Sequence, residues 1–147
     1  KEAREVVFEY CEHFSGSDYT TPLLEFNKKS IRDLQVHVAN VYLHWLPIFG
    51  QLKPVDYFNV EGIYGVAEIR EAYKKVNACV SDFIQQFQDQ PDAQIVNKLP
   101  RKDQVLKVTP VQLLLHGITH EFHHKGQILS MGRLLGYTPP DADIIRT

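Results

Sequence analysis

Residues 109–136 read TPVQLLLHGITHEFHHKGQILSMGRLLG and carry four of the seven histidines of the chain within nine positions. Thr109 is suited to cap the N-terminus of a helix, with Pro110 in the first helical position and Gln112 as its capping-box partner. Gly136 is typical of the residue just beyond a helix C-terminus. This stretch therefore predicts one long helix.

The histidines of this helix lie mainly on one of its faces. At about 100° per residue, His116, His120 and His124 share a direction with apolar residues of the same helix. The residues in this direction are Leu113, His116, His120, His124, Gln127, Met131 and Leu135. Ring nitrogens in the middle of an otherwise apolar face predict a buried metal site.

The composition limits the classes of protein to which the chain can belong. At 147 residues, roughly 68–70% of the unfolded surface can be buried, so we expect one domain over residues 1–147. The 16 Lys and Arg and 18 Asp and Glu form no basic block, so we expect neither nucleic acid nor a membrane as partner. Without a signal segment or an apolar run of about 18 residues, a cytoplasmic protein is expected. Cys11 and Cys79 are then expected to be buried, reduced thiols.

The N-terminal part of the chain predicts one helix and an irregular connection. Residues 1–15 place apolar side chains at helical spacing between charged ones, and Gly16 ends this pattern. Residues 17–29 are polar and include Pro22. They predict a connection with one turn of helix at residues 23–26.

Two more helices are predicted in the middle of the chain. Ser30 is suited to cap the second helix, with Asp33 in its first turn, and Pro47 and Gly50 end or kink it. A long loop over residues 50–65 follows. The third helix is indicated by apolar residues that alternate in steps of three and four over three heptads. These residues are Val66, Ile69, Tyr73, Val76, Val80, Phe83 and Phe87.

The segment before the last helix predicts a second long connection. Residues 90–108 contain Pro91 and Pro100, and the alternation at residues 105–108 predicts one short strand. Four helices without a convincing sheet predict an all-α protein, a four-helix bundle with long connections. Its metal site is expected between the second and the last long helix.

Two histidines of the last helix can bind one ion together. His120 and His124 are four residues apart, so their neutral imidazoles stand one above the other. His37 lies at the margin of the apolar face of the second helix, with Asn40 and His44 near it, and is the best candidate for a third ligand. In the alternative interpretation, these histidines only bind each other and water in a buried interior. The clustering favours a metal, and imidazole ligands favour zinc or nickel.

The remaining histidines and one carboxylate have less certain roles. His116 and His123 are expected to support the ligands or to lie on the surface. Residues 120–124 also match H-E-x-x-H, in which Glu121 would activate a zinc-bound water as general base. The extended peptidase form of this motif is missing, because no histidine or glutamate follows it. Glu121 can instead be a surface carboxylate or a support for the ligands, with Lys125 as its partner one turn later.

Over nearly its whole length the sequence resembles the DinB-like (YfiT-like) family of metal-binding four-helix bundles. The most specific segments are His37–Asn40 with Trp45 downstream, residues 120–128, and residues 134–143. The resemblance implies a divalent metal bound by His37, His120 and His124. The resemblance also implies a dimeric bacterial cytoplasmic protein, because the family looks like a set of dimeric proteins from the bacterial cytoplasm.

Three functions stay open at this point. Characterised relatives in the family include transferases and an isomerase that use bacillithiol or mycothiol, so the resemblance implies a small-molecule thiol and an electrophilic substrate. Three neutral imidazoles also leave a coordination position open, which is typical of catalytic sites. A hydrolase with Glu121 as general base is one alternative. A non-enzymatic metal-binding protein of the stress response is the other.

A second apolar direction on the last helix predicts a homodimer. It lies roughly opposite His120 and consists of Val111, Leu115, Ile118, Phe122 and Leu129. A small bundle cannot easily surround one of its own helices, so this stripe is expected to form an association surface. Symmetric pairing is the commonest way to cover such a surface. Coverage by the first helix or by the loop of residues 50–65 is the alternative.

Overall fold

The structure is a computed structural model and describes residues 2–100 and 102–145. The protein is mostly helical, as the sequence predicts. Its regular elements are α1 (Glu2–Glu12), α2 (Gly16–Thr20), α3 (Ile31–Leu43), α4 (Val66–Phe87), β1 (Ile95–Lys98), β2 (Val105–Val108) and α5 (Pro110–Leu134). Helix α3 packs against both α4 and α5, and α1 packs against α4. The first position of the predicted N-terminal helix, Lys1, lies outside the described residues.

The two helices that carry the candidate ligands begin at the predicted caps. The hydroxyl of Ser30 accepts a hydrogen bond from the backbone N–H of Asp33 (3.1 Å), and the Asp33 carboxylate accepts one from Ser30 N–H (2.9 Å). Thr109 and Gln112 exchange the same pair of bonds at 3.2 and 2.8 Å, ahead of α5. Both capping boxes satisfy backbone donors that a helix leaves unpaired at its start.

The end of α3 confirms the predicted disturbance at Pro47 and Gly50. Regular α-helix stops at Leu43, and the chain continues as a π-helix over His44–Gly50 with Pro47 inside it. Proline has no N–H and its ring clashes with the carbonyl four residues earlier, which a wider helical turn accommodates. Gly50 is required here, because a Cβ would lie 2.7 Å from the ring of Phe83.

Two local expectations from the sequence need correction, and a third is confirmed. Gly16 does not end the first helix, which stops at Glu12; it begins α2, capped by the hydroxyl of Ser15. The predicted turn of helix is confirmed as a 3₁₀ turn over Leu24–Phe26. The expectation that no sheet forms is wrong. The predicted strand at residues 105–108 is present, but it pairs with β1 in an antiparallel hairpin.

The core lies between the long helices. Burial in this core explains the apolar alternation that predicts the third helix. Of the alternating apolar residues of α4, all are buried except Val80 and Phe87, which are half-buried. Cys11 is buried and Cys79 is half-buried, and both are free thiols. Burial raises the pKa of Cys11 to about 12 and raises that of Cys79, which keeps both protonated and unreactive. Within the described ranges, no helix combines the length and apolar character needed to cross a membrane.

Candidate metal centre

Helices α3 and α5 bring the three predicted ligands together. Nε2 of His37 lies 2.9 Å from Nε2 of His120, which lies 3.1 Å from Nε2 of His124. Among the residues that the structure describes, these three are the one group of at least three potential ligands whose donor atoms all lie within 4.8 Å of one another. The fold therefore brings together the three histidines that the sequence predicts as ligands.

The spacing of these nitrogens fits a divalent ion. Zinc–imidazole bonds of about 2.0–2.1 Å place two nitrogens on one ion about 2.8–3.4 Å apart, for angles between 90° and tetrahedral. The observed separations of 2.9 and 3.1 Å lie within this range. The donor set, three imidazoles, suits zinc and nickel alike.

The environment keeps all three imidazoles in the neutral form that binds metal. Burial lowers the pKa of His120 to about 4, helped by the neighbouring charges of His124 and His37. Burial also lowers the pKa of His124, and for His37 burial and the charge of Lys29 act together. Because a protonated imidazole cannot donate to an ion, neutral rings at pH 7 favour metal uptake.

The site is more open than the sequence suggests. His37 is exposed, and His120 and His124 are half-buried. The expectation of a buried metal is thus wrong, because the ligands lie at the margins of α3 and α5 and not between their core faces. A cleft of about 560 Å³ opens beside His37 and His124. A small molecule can therefore reach the site from the surface.

Gln127 orients one ligand. Its side-chain oxygen lies 2.6 Å from Nδ1 of His124, so this nitrogen carries the proton and Nε2 keeps its lone pair for an ion. Gln127→Ala is expected to weaken metal binding about 10- to 100-fold, because such supporting bonds hold ring and tautomer in place. Competition with a chromogenic chelator measures this change, with exposed Gln90→Ala as control. Equal affinity in both variants would contradict the orienting role.

Glu121 is held in a polar network away from the converging nitrogens. Both oxygens of its carboxylate accept hydrogen bonds from Arg4, at 2.5 and 2.7 Å, and the hydroxyl of Tyr42 donates a third at 2.6 Å. Arg4 also donates to the side chain of Asn77 (2.8 Å). Burial alone would raise the pKa of Glu121, but the bonds and charge of Arg4 outweigh it and keep the pKa below its ordinary value.

This network was missed by sequence reasoning. Arg4, Tyr42 and Asn77 lie on three different helices, and no local spacing links them to Glu121. The neighbouring Lys125 donates to the carbonyl of Ala142 and lies over the ring of Phe122. The role of Glu121 as general base stays a prediction.

A glycine lets Tyr42 approach α5. A Cβ on Gly117 would lie 2.8 Å from Cε1 of the Tyr42 ring, closer than side chains tolerate, so only glycine allows this contact. Gly117 lies one turn before His120 and Glu121 on α5. The aromatic ring thus sets the distance between the two helices that carry the ligands.

The other histidines extend along the surface from the centre. The ring of His116 stacks against His120 at 5.6 Å and meets the edge of Trp45 at 5.1 Å, while His123 lies 5.0 Å from His124. Both His116 and His123 are exposed. They contact the rings of the ligands without joining the converging group.

His44 belongs to a separate contact at the start of the π-helical segment. Its Nδ1 lies within hydrogen-bonding distance of the hydroxyl of Tyr57, at 2.7 Å. Burial, together with the charges of His116 and Lys102, lowers the pKa of His44. The sequence placed His44 near His37, but Tyr57 lies in a loop whose position no periodic pattern indicates.

The comparisons with known proteins agree with this architecture. A DinB-like protein from Bacillus cereus ATCC 10987 has a similar structure, with a TM-score of 0.67 over 95% of this chain and 89% of that chain. The two are 15% identical, so the likeness shows the fold alone. None of the curated proteins compared matches the sequence. The sequence profile of the DinB family matches residues 1–147, and the protein therefore belongs to the DinB family.

Proposed function

We propose that the protein is a metal-dependent transferase that uses a low-molecular-weight thiol of the bacillithiol or mycothiol type. The observation that carries this proposal is the convergence of three neutral imidazoles at the edge of an open cleft. In the proposed architecture α1, α3, α4 and α5 form a four-helix bundle. His37, His120 and His124 would hold zinc or nickel, in a cytoplasmic protein.

The chemistry follows from the donor set. A divalent ion on three neutral imidazoles supplies a Lewis acid that lowers the pKa of a bound thiol. In the transfer, the thiol sulfur forms a bond to an electrophilic carbon, and the leaving group departs with its bonding electron pair. The thiol proton passes to solvent. Gln127 keeps the tautomer of His124 that the centre needs.

A thiol panel tests this function directly. Metal-loaded protein is incubated with each thiol and a haloarene, and thioether formation is followed. We expect turnover with at least one thiol and loss of turnover both with a chelator and in His124→Ala. His13→Ala is the control, because His13 follows the end of α1 and, among the described residues, its exposed ring contacts the Glu9 carbonyl and none of the candidate ligands. Reversible metal uptake without turnover of any thiol would favour the non-enzymatic alternative.

The hydrolase alternative has its own discriminating result. If ester or peptide hydrolysis appeared and vanished in Glu121→Gln, hydrolysis with Glu121 as general base would replace transfer. The bonds of Glu121 to Arg4 and Tyr42 argue against this role, because they already occupy both oxygens.

We also propose a homodimer formed through the outer face of α5. Val111, Leu115 and Ile118 are 38%, 53% and 43% exposed, whereas Phe122 and Leu129 are half-buried within the chain. Leu115→Glu is expected to convert a dimer into a monomer, since it places a charge in an apolar contact without disturbing the core. Light scattering across a dilution series measures the mass. A wild-type mass near 17.0 kDa at every concentration would overturn the proposal.

A further inference from the structure

Helices α3 and α5 are joined at a second point, one residue along α5 from the metal centre. On α5, His120 meets His37 of α3, with 2.9 Å between the two Nε2 atoms. The next residue, Glu121, accepts a hydrogen bond at 2.6 Å from the hydroxyl of Tyr42, near the end of α3. Successive residues of an α-helix point about 100° apart. The two contacts therefore lie on different sides of α5, and a rotation of α5 about its axis changes both.

The carboxylate of Glu121 is also held from other helices. Arg4 of α1 donates to both of its oxygens, and such paired bonds fix direction as well as distance. Arg4 is itself held by α4, because it donates to the side chain of Asn77 and lies over the ring of Tyr73. Glu121 thus ties α5 directly to α1 and α3, and through Arg4 to α4.

The ring of His120 depends on the backbone of α5 for its direction. Its Nε2 faces the other two candidate ligands, and within the described part of the chain its Nδ1 has no hydrogen-bond partner. His124 differs, because Gln127 holds its Nδ1. A ligand without such a support points where its own turn of helix points. For His120 that turn is anchored by the adjacent Glu121.

We infer that Glu121 is a positioning residue of the metal centre, held in place by Tyr42 and Arg4. Its anchored carboxylate fixes the rotation of α5 at which His120 faces His37. The inference rests on the proposed function only through the three-histidine centre, and it requires neither a thiol nor a transfer reaction. Ligands that are already aligned bind an ion more tightly than ligands that must first be brought into line. Loss of the network is therefore expected to weaken metal binding although every ligand remains.

Tyr42→Phe is the sharpest test, because it removes one hydroxyl and keeps the aromatic ring and all three histidines. It changes no charge, so a weaker binding of zinc cannot be ascribed to the loss of a negative group near a cation. Tyr10→Phe is the matched control. Tyr10 is also a buried tyrosine, and its hydroxyl donates to the backbone carbonyl of Tyr137 at 3.0 Å, outside the metal centre.

Two measurements on the metal-binding protein separate positioning from general stability. Competition with a chromogenic chelator gives the zinc dissociation constant, and the visible absorption of bound cobalt(II) reports the arrangement of its ligands. Tyr42→Phe is expected to raise the zinc dissociation constant about 10-fold and to alter the cobalt spectrum. Glu121→Ala is expected to weaken zinc at least as much, because it removes the whole network. Tyr10→Phe is expected to match wild type in both measurements.

The possible outcomes are distinguishable. Urea unfolding of the metal-free proteins first establishes that the two tyrosine variants are folded and similarly stable. Wild-type zinc affinity and cobalt spectrum in Tyr42→Phe would overturn the inference, and so would an equal loss of affinity in Tyr10→Phe. In both cases the three-histidine centre would stand. A wild-type protein that binds no zinc would instead remove the centre and the inference together.

Discussion

Replacement of His120 by alanine is expected to reduce the bound metal from about one ion per chain to a trace. The Nε2 atom of His120 lies within 3.1 Å of the matching nitrogens of both His37 and His124. Its loss leaves two imidazoles on different helices. Because removal of a merely supporting group costs about 10- to 100-fold in affinity, loss of a ligand should exceed 100-fold. Elemental analysis after dialysis against a weak chelator measures the difference.

The neighbouring histidine provides the control for this experiment. His123→Ala removes a histidine side chain from the same helix, yet His123 is exposed and is not one of the three clustered histidines. It is expected to retain the metal of wild type. His124→Ala should behave like His120→Ala. Undiminished metal in both ligand variants would remove the three-histidine centre.

Replacement of Arg4 by alanine is expected to lower the free energy of unfolding by about 2–4 kcal/mol. Removal of one partner from a buried ion pair costs about 3–5 kcal/mol, and we reduce this because Arg4 and Glu121 are 13% and 17% exposed. Glu121 would keep only Tyr42 as a side-chain donor among its described contacts. The guanidinium also lies 4.4 Å from the ring centroid of Tyr73, and this cation–π contact would be lost as well. Urea unfolding, followed by circular dichroism, measures the change.

Two further variants separate the ion pair from a general charge effect. Lys74→Ala removes an exposed pair with Glu71 and is expected to cost less than about 0.5 kcal/mol. Glu121→Gln in the Arg4→Ala background is expected to recover part of the loss, because a neutral amide is cheaper to bury unpaired than a carboxylate. A cost for Arg4→Ala no larger than that of Lys74→Ala would show that the pair contributes little.

The same pair has a defined pH dependence. Because the folded-state pKa of Glu121 is below its ordinary value, the unfolded chain binds more protons there, and stability rises with pH across that interval. The contribution of the pair is fully present above the ordinary pKa of Glu and is lost as pH falls through the lowered pKa. The difference in stability between wild type and Arg4→Ala should therefore shrink on acidification below about pH 4.5.

The features that the sequence predicts well are those decided by near neighbours. The capping boxes at Ser30 and Thr109 involve residues three apart, and both helices begin where these signals place them. His120 and His124 are also related by one helical turn. Their proximity to His37 was predictable because the sequence shows which face of each helix is apolar and places these histidines on or beside it. The resemblance to the DinB family named the same residues.

The features that the sequence predicts poorly depend on residues that are far apart in the chain. Arg4 and Glu121 are 117 residues apart, and a carboxylate next to a candidate ligand gives no sign of its partner. Strand β1 has only four residues, too few for alternation to distinguish it from loop before its partner is known. The depth of the metal centre depends on how far α3 and α5 separate at their margins, which periodicity does not measure.

The contact between Gly117 and Tyr42 has a consequence for the geometry of the candidate site. His37 lies on α3 and His120 and His124 lie on α5, and the buried tyrosine ring packs between these two helices at Gly117. A single methyl group at position 117 would push the helices apart while leaving all three histidines unchanged. The separation of the candidate ligands therefore depends on a residue that is not one of them.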